Sequence, residues 1–120
     1  MKRPEQDLQR ACVKWFNLKY PEMHGLLFMC HQNASSRIQQ SILKGLGLIA
    51  GVSDLVLLSP SGAVFIELKA GKNKQTDVQK EWQAKVEAYG YPYVVVNSLD
   101  QFMEEVKQWL PDLQKSQMKS

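Results

Sequence analysis

Two short apolar runs, residues 54–58 (Asp-Leu-Val-Leu-Leu) and 63–69 (Ala-Val-Phe-Ile-Glu-Leu-Lys), flank Ser59-Pro60-Ser61-Gly62 and constrain this chain more than any other feature. Each run has strand length and is rich in β-branched and large apolar residues, and Pro with Ser and Gly supplies the turn between them, so the pair reads as a β-hairpin. An isolated hairpin is marginal in water. The remaining sequence must therefore supply further strands and the helices that cover them.

It does so in alternation. After Pro4, the residues Leu8, Ala11, Cys12, Trp15 and Phe16 recur at i, i+3, i+4, i+7 and i+8, one face of a helix that ends near Asn17. Pro21 and Gly25 punctuate a loop before the apolar run 26–30, read as a buried strand. Ser36 can cap a second helix whose stripe is Ile38, Ile42, Leu43 and Leu46, ended by Gly45 and Gly47. Thr76-Asp77-Val78-Gln79 is a capping box that starts a helix running to Tyr89, with Gly90 as its stop. Residues 93–96 form a β-branched strand. Ser98 and Gln101 repeat the capping box before a last helix striped with Leu99, Phe102, Met103, Val106, Trp109 and Leu110 and stopped by Pro111. The expected order is αβαββαβα: an α/β three-layer sandwich, a central mixed sheet flanked by helices, spanning residues 1–111, followed by a polar, flexible tail at 112–120.

Composition narrows the class. A chain of 120 residues with 44% hydrophobic residues builds one core and not two. No window approaches ~18 consecutive apolar residues and the first residues lack an apolar signal region, so a cytoplasmic protein without membrane contact is expected. Cys12 and Cys30 are too few for a zinc pattern and read as reduced, core-forming thiols. Trp15, Trp82 and Trp109 lie on apolar stripes and are expected in the core, and neither His24 nor His31 has the company of a metal ligand. The net charge of +3 permits a polyanionic partner without requiring one.

Acidic residues inside apolar elements break the pattern, and such breaks tend to mark function. Asp54 opens a strand that is otherwise apolar. Glu67 and Lys69, two residues apart on the next strand, share one face while Val64, Ile66, Leu68 and Ala70 take the other. Taken alone they describe a solvated strand face, and the second Glu-x-Lys, Glu105 to Lys107, sits in a helix where the two side chains diverge. Glu5, however, falls in the middle of the Leu8, Cys12 and Phe16 stripe and is aimed inward. Three carboxylates beside one lysine suit a hard divalent ion, which binds through one or two carboxylates, waters and a substrate phosphate. The chemistry such a set supports is metal-assisted phosphodiester hydrolysis, with Lys69 orienting or deprotonating the attacking water.

Residues 51–58 (Gly-Val-Ser-Asp-Leu-Val-Leu-Leu), 65–72 (Phe-Ile-Glu-Leu-Lys-Ala-Gly-Lys), 79–82 (Gln-Lys-Glu-Trp) and 90–96 together resemble the VRR-NUC (virus-type replication-repair nuclease) branch of the PD-(D/E)xK nuclease superfamily, over about residues 4–110. The resemblance implies that Asp54 and Glu67 are metal ligands together with the backbone carbonyl of Leu68. It makes Lys69 the motif lysine, Glu5 the acid of the first helix serving a second metal or the outer shell, and Gln79 the catalytic glutamine opening the next helix. Ser53 stands where the family usually has proline, a change that removes no ligand. The cofactor implied is Mg²⁺ or Mn²⁺. Lys72, Lys74 and Lys80 follow the site closely and are expected to contact DNA phosphates, and Asn33 matches more loosely a polar loop after the first strand. The expected function is a structure-selective DNA endonuclease, of Holliday-junction-resolving type and homodimeric, leaving 5′-phosphates in the cytoplasm of a bacterium or a phage-infected cell. A nicking or restriction-like enzyme, or a non-catalytic DNA-binding module of the same fold, are the alternatives. The helix at 99–110 is one candidate for the dimer surface, unless it covers the sheet.

Overall fold

The computed structural model describes residues 3–30 and 36–110. Its elements are α1 (Arg3–Lys19), a single 3-10 turn (Pro21–Met23), β1 (Leu27–Met29), α2 (Arg37–Gly45), β2 (Leu55–Ser59), β3 (Gly62–Leu68), α3 (Asp77–Ala88), β4 (Tyr93–Val96) and α4 (Leu99–Trp109). The strands form one sheet in the order β1-β2-β3-β4. The first three pair antiparallel, and β3 pairs parallel with β4 across the α3 crossover, giving the mixed sheet expected. Among the described residues no helix is long and apolar enough to cross a membrane. Asn33, His31 and the tail proposed at 112–120 lie outside the described residues.

Strand alternation builds the layers. Leu55 and Leu57 of β2 and Val64, Ile66 and Leu68 of β3 face one side, where they pack with Cys12, Phe16 and Tyr20 of the α1 region and Phe102, Val106 and Leu110 of α4. The opposite face carries Phe65, whose ring meets Trp82 of α3 edge-on at 5.2 Å, and Trp82 in turn meets Tyr93 of β4 at 5.9 Å. Helices α1 and α4 therefore cover one face and α3 the other. Trp15, with edge contacts to Tyr20 and Phe102, and Trp109 border the core half-buried, whereas Trp82, also half-buried, lies on the opposite face and not against this core as expected. Burial pushes the Cys12 thiol up to about 12, consistent with a packing role; Cys30 is half-buried, and neither is in a disulfide.

Several boundaries differ from the sequence reading for local reasons. Helix α1 continues two residues past Asn17, to Lys19, and the 3-10 turn at Pro21 replaces part of an expected loop. The hairpin turn is the expected four residues, with the strands reaching into its ends: Ser59 pairs directly with Gly62, leaving Pro60 and Ser61 at the tip, and Ser59 Oγ accepts from Ser61 N at 3.3 Å. At α4, Ser98 Oγ accepts from Gln101 N, but Gln101 Oε1 reaches back to the Asn97 amide, so the box is not reciprocal. The expected stripe of α4 is consumed by the core. The stripe of α2 is not: Ile38, Ile42 and Leu46 are 77%, 57% and 79% exposed, and the helix buries none of its residues.

The loop from α2 into β2 closes on the start of α3 at Gly51. Its φ of +81° is left-handed, and a Cβ there would lie 2.6 Å from the Val78 carbonyl oxygen, a backbone atom that cannot swing aside. This contact fixes the approach of the chain to Asp54. Gly51→Ala should therefore destabilise the fold by about 1–3 kcal/mol, read as a lowered urea midpoint; an unchanged midpoint would show that the loop is free to move away.

Candidate active site

The site follows from the hairpin register. Leu55 is opposite Ile66, so continuing the ladder by one step places Asp54 opposite Glu67, on the face shared with Phe65. Asp54 ties the strands beyond their last pair: its carbonyl accepts from Cys30 N at 2.9 Å and its Oδ2 accepts from Leu68 N at 2.7 Å. Lys69 continues the ladder on the other side by donating its amide to Val96 O at 2.9 Å. Asp54, Glu67 and Lys69 are all buried, Glu67 completely.

A fully buried carboxylate needs partners. Glu67 Oε1 accepts from the Tyr93 hydroxyl and from Gln75 Nε2 at 3.1 Å. Gln75 is itself held, its Nε2 also lying 2.8 Å from Gln83 Oε1. Lys69 Nζ stands 3.7 Å from Glu67 Oε2, and that oxygen is buried without any hydrogen bond. Glu5 projects from the first turn of α1 toward the same region, and Asn73 Nδ2 donates to its Oε2 at 2.7 Å.

The electrostatics follow from this crowding. Burial raises the Asp54 carboxyl above its ordinary value, with Glu67 and Glu5 adding repulsion; the Leu68 amide and Lys69 pull the other way without prevailing. Burial also raises the Tyr93 hydroxyl, and the adjacent Glu67 carboxylate adds to the shift, so Tyr93 keeps its proton and acts as a donor.

The structure thus brings Glu5, Asp54, Glu67 and Lys69 into one electrostatic neighbourhood, with Leu68 contributing backbone. It does not bring Gln79 into that set: its amide oxygen accepts from Thr76 N at 2.8 Å while Thr76 Oγ1 accepts from Gln79 N, completing the capping box. Lys72, Lys74 and Lys80 are exposed. Asn73, Gln75, Gln83 and Tyr93 are the partners that sequence reasoning missed. Tyr93 alone carried a signal, since a buried tyrosine hydroxyl requires a polar partner.

Among the described residues no three His, Cys, Asp or Glu side chains are arranged as a ready-made metal cage. The donor set nevertheless fits a hard divalent ion. Glu67 Oε2 is a buried oxygen lacking a hydrogen bond, Asp54 lies across the ladder, and Mg²⁺ asks for only one or two carboxylates because it retains water.

Comparison with known proteins bears on the family and the fold. The family model for the VRR-NUC domain matches residues 3–100. The chain belongs to the VRR-NUC family. A solved structure of a VRR_NUC domain protein is similar over 92% of this chain and 91% of its own, at a TM-score of 0.72 and 20% sequence identity, a likeness of fold. Among proteins with curated annotation, none matches. The matched region includes Glu5, Asp54, Glu67 and Lys69 of this VRR-NUC domain and ends at the start of α4.

The raised Asp54 carboxyl has a consequence for stability. A group whose pKa is higher folded than unfolded favours folding when protonated, below its ordinary value of 3.8, and that contribution is lost as pH rises through the folded pKa. At neutral pH the charged Asp54 is a cost to the metal-free protein. Asp54→Asn, which can still accept from Leu68 N, should raise the melting temperature of the metal-free protein at pH 7, with the gain shrinking toward pH 4. A lower Tm for the variant at pH 7 would contradict this reading.

Proposed function

We propose that this VRR-NUC domain is a divalent-metal-dependent DNA endonuclease that hydrolyses phosphodiester bonds and leaves 5′-phosphates. The observation that carries the reading is Glu67 Oε2, a buried carboxylate oxygen without a hydrogen bond, beside a lysine and across a strand ladder from a second carboxylate. Asp54, Glu67 and the backbone carbonyl of Leu68 would hold Mg²⁺ or Mn²⁺, with Glu5, held by Asn73, at a second metal or in the outer shell. When bound, the ion supplies Lewis-acid polarisation of the phosphoryl group and lowers the pKa of the attacking water.

The protein's own groups do the rest. Lys69, buried beside Glu67, would orient the attacking water as an ammonium or, as the neutral amine, accept the proton that the water gives up. Gln75 and Tyr93 keep Glu67 turned so that Oε2 faces away from their hydrogen bonds. Lys72, Lys74 and Lys80, exposed on the loop and helix that follow β3, hold the DNA backbone, in line with the positive net charge, and Asn33 is proposed to assist them. Gln79 serves this site by fixing the start of α3, the helix that bears Lys80 and Gln83, and not by touching the phosphate.

Branched DNA of the Holliday-junction type is the proposed substrate, cut by a homodimer. One chain of this size carries one cluster, so incision of both strands needs a second copy related by a two-fold axis. The exposed Ile38, Ile42 and Leu46 on α2, continued by exposed Ile49, supply the apolar surface for that contact, in place of α4.

Cleavage assays on duplex, flap and four-way junction DNA test the proposal. Wild-type protein should cut junctions with Mg²⁺ or Mn²⁺ and not with EDTA. Asp54→Asn and Glu67→Gln should lose more activity than the roughly 10–100-fold typical of removing an outer partner, the range expected for Glu5→Gln. Lys72→Ala or Lys74→Ala should lower the salt-dependence slope of binding by about one, and Ile42→Glu should give monomers that nick one strand. Cleavage that survives EDTA or Glu67→Gln would overturn the proposal, and tight binding without any cleavage would favour a DNA-binding module.

A further inference from the structure

Glu67 is not a symmetric carboxylate. Each carboxylate oxygen offers two lone-pair sites. On Oε1 both are engaged, one by the Tyr93 hydroxyl and one by Gln75 Nε2. On Oε2 neither receives a hydrogen bond, and Lys69 Nζ stands off at 3.7 Å. The two donors are themselves immobilised. Tyr93 is buried on β4, its ring edge against Trp82, while Gln75 shares its amide with Gln83 of α3. Two separate segments, β4 and the loop after β3, thus converge on one oxygen, with α3 bracing the second donor, and leave the other without a hydrogen bond.

We infer that Tyr93 and Gln75 restrict Glu67 to single-oxygen coordination and thereby set the ion preference of the site, favouring Mg²⁺ and Mn²⁺ over Ca²⁺. The inference rests on the metal reading above and extends it to residues outside the ligand set. Mg²⁺ requires near-octahedral geometry, which the narrow bite of a carboxylate gripping through both oxygens spoils. Ca²⁺ takes 6–8 oxygens in flexible arrangements and readily accepts a bidentate carboxylate. Occupying Oε1 with two fixed donors removes the bidentate option. Tyr93 and Gln75 are positioning residues in this scheme, acting on the ion only through Glu67.

Calorimetric titration of the metal-free full chain with MgCl₂ or CaCl₂ alone, in the absence of DNA, tests the inference without relying on activity. Tyr93→Phe keeps the ring against Trp82 and removes only the hydroxyl; Gln75→Leu removes the second donor. The double variant should shift the ratio of Ca²⁺ to Mg²⁺ affinity toward Ca²⁺ by about 10-fold or more as the ligand count rises, and each single variant should shift it the same way by less. A general loosening of the fold would weaken both ions together and leave their ratio unmoved. An unchanged ratio in the folded single variants, with Mg²⁺ binding still abolished by Asp54→Asn, would overturn the clamp while leaving the metal site intact. Wild-type protein that binds no Mg²⁺, or binds it equally well as Asp54→Asn, would overturn the metal reading and the clamp with it.

Discussion

The burial of the Glu67 carboxylate organises this molecule. Removing an ionised group from water costs several kcal/mol even after relaxation, and Glu67 sits on β3, a strand paired on both sides, with no solvent exposure. Part of that cost is offset by the Tyr93 hydroxyl, the Gln75 amide and the Lys69 ammonium. Each comes from a segment whose position depends on the sheet: β4, the loop leaving β3, and the end of β3 itself. The compensation is incomplete, because Oε2 has no hydrogen bond and Asp54 stands opposite with its own carboxyl raised by burial and by its acidic neighbours. A fold that concentrates negative charge in this way gives up stability locally, and that is the ground on which a divalent ion is proposed here.

The scaffold holds the cluster by backbone rather than by side-chain packing alone. The Leu68 amide bonded to Asp54 Oδ2 fixes the distance between the start of β2 and the end of β3, and Cys30 N bonded to the Asp54 carbonyl ties in the end of β1. Behind the sheet, α1 and α4 close a dry core around Phe16, Tyr20 and Phe102. In front, Phe65, Trp82, Tyr91 and Tyr93 form a chain of edge-to-face aromatics that sets α3 against β3 and β4 and, with it, Gln83 beneath Gln75. The lysines at 72, 74 and 80, on the loop and helix that follow β3, are exposed and keep their hydration, and it is these that are proposed to take the DNA phosphates.

What the sequence disclosed divides along physical lines. Periodicity of 2 and 3.6 is a local property, so every α-helix and strand seen here was legible, as were the caps at Ser36, Thr76 and Ser98, although β1, read as a buried strand over 26–30, spans only Leu27–Met29 and leaves Phe28 and Met29 exposed. Asp54, Glu67 and Lys69 stood out because each violates the apolar pattern of its own strand. Gln75 did not, since a loop glutamine violates no pattern, and Tyr93 signalled only through its hydroxyl, since a tyrosine in a β-branched strand satisfies the apolar pattern. Their meeting with Glu67 depends on the parallel register of β3 with β4, a long-range fact. The Ile38, Ile42 and Leu46 stripe announced its helix correctly but not what covers it: amphipathicity says that a face wants cover, and α2 leaves that face outside the core of its own chain. Gln79 is engaged in the cap that its position in the sequence already announced, its Oε1 accepting from Thr76 N.

The central claim is that Asp54 and Glu67 form one divalent-ion site through the bare oxygen of Glu67. Anomalous diffraction from crystals grown with Mn²⁺ tests it most directly, because the ion's position is seen without reference to activity. The account predicts a Mn²⁺ peak within ligating distance of Asp54 and of Glu67 Oε2, with Glu67 Oε1 still bonded to Tyr93 and Gln75. Protein that cleaves DNA with Mn²⁺ while the ion sits away from both carboxylates would contradict it.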